Sequence, residues 1–105
     1  MAEEVVVEEF QWTPSARITF HKIVEYLRVN WTEKEVIAFI NKTNDLLSNI
    51  RRQPEMCRPS MKRKNVRIGI ISKHNHLIYH YKPRKKQVEI LLFWDPRQNP
   101  SKLKY

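Results

Sequence analysis

The stretch Asn65–Trp94, NVRIGIISKHNHLIYHYKPRKKQVEILLFW, holds three runs of strand-forming residues divided by two short polar breaks. Val66, Ile68 and Ile70 alternate with other residues in the first run (65–72), and Leu77, Tyr79 and Tyr81 alternate in the second (76–82). The third run (87–94) is apolar on both faces from Ile90 onward, the pattern of a strand inside a sheet. Lys73-His74-Asn75 and Pro83-Arg84-Lys85-Lys86 are short enough for hairpins, so the three runs predict an antiparallel meander.

Upstream, the period changes from two to between three and four. Ala16, Phe20, Ile23, Val24 and Leu27 mark one helix face after Thr13-Pro14, where Thr13 can cap and Pro14 suits the first helical position. Thr32-Glu33-Lys34-Glu35 forms a capping box ahead of a second stripe, Val36, Phe39, Ile40, Thr43, Leu47 and Ile50, which Pro54 stops. The link between the helices is short, so they form a hairpin. Val5 to Trp12 reads as a first strand, which must join the meander to pair its backbone groups. The order β-α-α-β-β-β predicts an α+β fold: a helical hairpin on one face of a four-stranded, antiparallel-rich sheet, all in a single domain over residues 1–105.

Charge is divided unevenly. Residues 1–50 carry five Lys/Arg against eight Asp/Glu, a net −3, and residues 51–105 carry fifteen against three, a net +12. Such asymmetry builds a positive field that attracts polyanions or an acidic protein. The single Cys57 excludes an internal disulfide and suits a reducing, cytoplasmic setting; the acidic start and the short apolar run Ile90–Trp94 speak against a secretory signal or a membrane span. There is no Gly-rich phosphate loop or GxSxG elbow, and His74, His76 and His80 lack a persuasive further ligand, so neither a metal nor a cofactor is expected, and no small-molecule substrate.

Side chains alternate along strands. If Ile68, Ile70, Leu77 and Tyr79 pack on the helices, then Arg67, Gly69, His76, Ile78 and His80 face the other way; a turn at Lys73-His74 or at His74-Asn75 keeps this parity, and the first sets Arg67 opposite His80. Arg97 follows the last strand. Arg67, His80 and Arg97, with His76 beside them, form a candidate catalytic set: cations stabilise charge in phosphoryl transfer, and a histidine moves protons. Arg63, Lys64, Lys85 and Lys86 are candidate nucleic-acid contacts at the rim of that face.

The chain also resembles a known family. Phe10-Gln11-Trp12-Thr13-Pro14-Ser15-Ala16 followed by Ile23-Val24-Glu25-Tyr26-Leu27, the strands around Val66-Arg67, Leu77–Tyr81 and Val88–Phe93, and the tail Arg97-Gln98-Asn99-Pro100 are similar to RelE/ParE toxins of type II toxin–antitoxin systems. The resemblance implies a growth-inhibiting toxin neutralised by a cognate acidic antitoxin that offers an apolar helix and carboxylates. Two targets are implied. RelE-like members cut mRNA on the ribosome, with the 2′-hydroxyl attacking the adjacent phosphate; here Arg67 and Arg97 match basic family positions, while Gly69 stands where RelE proper carries a lysine. ParE-like members bind DNA gyrase without such a set, and the Arg-Gln-Asn-Pro tail leans that way. A third reading is a non-enzymatic basic nucleic-acid-binding module or an inactive relic.

Overall fold

The computed structural model describes residues 6–105. Its elements are β1 (Glu9–Trp12), α1 (Pro14–Asn30), α2 (Glu33–Arg52), β2 (Arg58–Pro59), β3 (Val66–Ser72), β4 (Asn75–Lys82) and β5 (Gln87–Trp94). Short 3-10 turns cover Pro83–Lys85 and Pro100–Lys102. The sheet has five strands in the order β1-β5-β4-β3-β2, where the sequence predicted four. The extra strand is the two-residue β2, in the segment that follows the Pro54 stop. Pro59 is tolerated because β2 is an edge strand, where a missing N–H costs no central ladder bond. β1 runs parallel to β5 and the other pairs are antiparallel. Of the expected first strand, 5–12, only Glu9–Trp12 pairs in the ladder, and Val5 lies outside the described residues.

Both helices start where the sequence places them. The Thr13 side chain accepts from the Ala16 N–H (3.0 Å), and the Glu35 carboxylate accepts from the Thr32 N–H (3.1 Å). Beyond the end of β1, α1 takes over the edge of β5. The Thr13 N–H and hydroxyl donate to the Ile90 and Leu91 carbonyls (3.1 and 2.6 Å), and the Thr19 hydroxyl accepts from the Phe93 N–H (2.9 Å). These bonds satisfy backbone groups of β5 that lie beyond the end of the four-residue β1.

The main core lies between the helical hairpin and the sheet. Ala16, Phe39 and Ile50 from the helices meet Leu77, Tyr79, Val88, Ile90 and Phe93 from the strands. Trp12, Phe20, Phe39 and Phe93 form an aromatic cluster with centroids 5.1–6.4 Å apart, within the range of favourable ring contacts. A second core occupies the opposite face. Val66, Ile78, Leu91 and Leu92 are buried there beneath Ile68, Trp94, Leu103 and Tyr105. Part of the face on which alternation placed the candidate catalytic residues is therefore dry and roofed by the C-terminal residues.

Two register shifts decide what faces where. The β3–β4 turn is Lys73-His74, since Ser72 pairs with Asn75, but the register then shifts between Ile70 and Ser72, leaving Ile71 as an extra residue. One inserted residue moves every side chain beyond it to the other face. Ile71 enters the helix-side core, Ile70 is left 65% exposed, and Arg67 pairs with Tyr79 rather than His80. The second shift, between Ile78 and Tyr79 on β4, places Leu91 as the extra residue on β5 and brings both Leu91 and Leu92 into the second core.

Candidate functional site

The bulge at Ile71 separates the residues that alternation alone had grouped. Arg67 and Gly69 share the helix side with Tyr79 and Leu77, whereas His76, Ile78 and His80 lie on the helix-free face with Ile68 and Val66. Leu77 and Tyr79 are on the side expected; Ile68 and Ile70 are not. The guanidinium of Arg67 donates to the carbonyls of Glu55 (3.0 Å) and Cys57 (2.7 Å), and it lies 3.6 Å from the Glu55 carboxylate. It thus bridges β3 to the segment that leaves α2. Beside it, the Tyr79 hydroxyl, fully buried, donates to the Pro54 carbonyl (2.7 Å). Burial, and then the neighbouring Cys57, push the Tyr79 phenol above its ordinary range, so it remains a donor.

On the helix-free face, His80 is directly opposite Glu89. Its Nδ1 is 3.8 Å from the Glu89 carboxylate, and Lys82 Nζ is 3.7 Å from the same oxygen. The His80 Nδ1 is buried without a hydrogen-bond partner among the described residues. Burial lowers the His80 pKa, the charges of Arg63 and Lys82 lower it further, and Glu89 opposes them. His80 is consequently neutral at neutral pH. His76, paired with Trp94, has its pKa lowered by burial and then by Arg58, against an opposing Asp95.

Arg97 follows β5, and its guanidinium is held by Asp95 through a pair of short contacts (3.1 and 2.7 Å). The same contact keeps the Asp95 carboxyl below its ordinary range. His76 and His80 are four residues apart on β4, about 13 Å at strand rise. Arg97 lies at the His76 end and Arg63 and Lys82 act at the His80 end. The structure therefore puts Arg67, His80 and Arg97 in three different places. Among the described residues, no group of three or more His, Cys, Asp or Glu could hold a metal ion.

Two features escaped the sequence reading. One is Glu89 as the partner of His80, which only the β4–β5 register reveals. The other is a groove of about 260 Å³ along the β3 edge, lined by Leu46, Met56, Cys57, Arg58 and Ile68–Ile70. Gly69 forms part of its floor: a Cβ there would sit 3.0 Å from Leu46 Cδ2 and 3.3 Å from Cys57 Sγ. β2 pairs only with Arg67 and Ile68, so the edge beyond, including the exposed Ile70, has no strand partner among the described residues. The adjacent pair Ile70-Ile71 is the signal that could have flagged the bulge, because strict alternation does not call for two branched apolar neighbours.

Two helices on one face of a mixed sheet, with these caps and this strand order, define the RelE/ParE class of fold. Solved structures share it. The chromosomal ParDE system from P. aeruginosa aligns with a TM-score of 0.68 at 15% identity over 88% of this chain and 98% of that one. The YoeB/ParE toxin from Agrobacterium tumefaciens aligns at 0.59 and 16% over 83% and 96%. The toxin–antitoxin complex RelBE2 from Mycobacterium tuberculosis aligns at 0.60 and 15% over 92% and 100%. No curated protein matches in sequence. The family model for the ParE toxin of the type II toxin–antitoxin system, parDE, matches residues 10–100, and the chain belongs to that family of toxins.

Proposed function

We propose that this toxin arrests growth by binding DNA gyrase as a protein ligand, and that a cognate acidic antitoxin neutralises it by occupying the groove and free edge beside β3. The observation that carries the gyrase reading is the dispersal of Arg67, His80 and Arg97. Phosphoryl transfer by side chains alone requires cation and proton donor within hydrogen-bond reach of one phosphate, and here the first cation is committed to two backbone carbonyls on the far face. A toxin that works through contact needs no such convergence. The ParE family assignment supports the same reading.

The antitoxin part rests on the β3 edge. An extended segment can add a strand to unpaired backbone, with apolar side chains entering an adjoining groove. Ile70 and Met56, 65% and 47% exposed, offer the apolar contact, and the basic half of the chain attracts the carboxylates. Induced expression with labelled methionine and labelled thymidine followed in parallel tests the target. DNA synthesis should fall first, with translation intact at early times; an immediate fall in translation would favour mRNA cleavage on the ribosome.

A further inference from the structure

Seven of the fifteen cations in residues 51–105 gather at one end of the sheet. Tyr81 N–H donates to the Asn65 carbonyl (2.9 Å), which brings the loop before β3 against the end of β4. That loop carries Lys62, Arg63 and Lys64, all exposed. The β4–β5 turn at the same end carries Arg84, Lys85 and Lys86, also exposed, directly after Lys82. Arg63 and Lys82 both lie close enough to His80 for their charges to lower its pKa.

Among the described residues, two carboxylates answer this cluster. Glu89 pairs with Lys82 (3.7 Å) and Glu8 with Lys86 (3.6 Å). Lys62 lies over the Tyr105 ring, 5.0 Å from its centroid. Arg63, Lys64, Arg84 and Lys85 have no ion pair among the described residues. The two loops are one to two strand spacings apart, about 5–10 Å.

We propose that this basic end of the sheet is a second interaction surface, which binds the phosphate backbone of duplex DNA without reading its sequence. The residue types favour a polyanion over a protein, since lysine is depleted from protein interfaces and this cluster is mostly lysine. They favour a duplex over a single strand as well. Single strands are held by stacking on exposed aromatic side chains, and the exposed aromatics among the described residues, Tyr26 and Trp31, are on the helical hairpin. The surface deepens the gyrase reading, on which its biological sense rests: a toxin seated on gyrase would also grip the DNA that gyrase holds.

The test is binding of the purified full-length toxin to a labelled 20-bp duplex of arbitrary sequence, by anisotropy, with gyrase absent. Four unpaired cations predict a slope of about −3.6 in log K against log salt, or roughly 150-fold weakening between 50 and 200 mM. Arg63→Ala with Lys64→Ala should reduce the slope by about two, as should Arg84→Ala with Lys85→Ala, each with unchanged circular dichroism. Lys22→Ala with Lys34→Ala, on the helices, should leave it unaltered. Equal weakening by the helix pair, or no salt dependence, overturns the proposal, as does a single-stranded RNA of equal length binding tenfold more tightly. With supercoiling by gyrase measured in a separate assay, DNA binding with no gyrase inhibition would sink the gyrase reading alone, and gyrase inhibition with no DNA binding would sink this one alone.

Discussion

Replacing Arg67 with alanine separates a structural arginine from a catalytic one. Its guanidinium makes two charge-assisted hydrogen bonds to main-chain carbonyls, with the side chain about one-fifth exposed. Each such bond contributes about 1.5–3 kcal/mol when shielded, and water can replace part of it at a partly exposed site. The Glu55 carboxylate adds little, since it is 71% exposed. A loss of about 2–3 kcal/mol follows, which for a domain of this size lowers Tm by roughly 8–15 °C. Thermal unfolding followed by circular dichroism measures it. Growth arrest well below the new Tm should persist, because the folded protein keeps its binding surfaces. A variant with unchanged Tm and abolished toxicity would refute the structural role and restore Arg67 to an active site.

Other consequences follow from the same geometry. Tyr79→Phe leaves the Pro54 carbonyl buried without its donor and should cost about 1–2 kcal/mol by urea unfolding. Tyr105→Ala uncovers the second core of Val66, Ile78, Leu91 and Leu92, with an expected loss of about 1–2 kcal/mol from its half-buried ring; an unchanged urea midpoint would mean that the tail is not seated there. His76 and His80 have folded pKa values below their unfolded ones, so their contribution is fully present above about pH 6.5 and is lost as pH falls through the lowered values. The urea midpoint should therefore fall between pH 7 and pH 5 (about the range in which histidine titrates), and His80→Asn should flatten that fall. Ile70→Asp alters an exposed residue and should change stability by no more than ~0.5 kcal/mol, while weakening rescue by the antitoxin in co-expression.

The sequence disclosed the helices almost to the residue, because caps and periodic apolar positions are local signals: Thr13-Pro14 and Thr32–Glu35 act on their own turns. The three long strands were legible for the same reason, while the choice between Lys73-His74 and His74-Asn75 as the turn was settled only by the pairing of Ser72 with Asn75. Facing was not. A single extra residue, Ile71, reverses everything upstream of it on β3, and the bulge is fixed by pairing with β4 rather than by any local preference. Arg67 was therefore assigned to the wrong side and His80 to the right one. The role of Leu103 and Tyr105 was equally hidden, since a tail of alternating charge and apolar residues gives no sign of which surface it covers. β2 was missed because two residues with a proline carry no strand pattern of their own.

Supercoiling of relaxed plasmid by purified gyrase, with increasing toxin, tests the central claim most directly. The account predicts dose-dependent loss of supercoiling that the antitoxin reverses and that Arg97→Ala leaves intact. Full supercoiling at excess toxin, together with cleaved message on toxin-treated ribosomes, would contradict it.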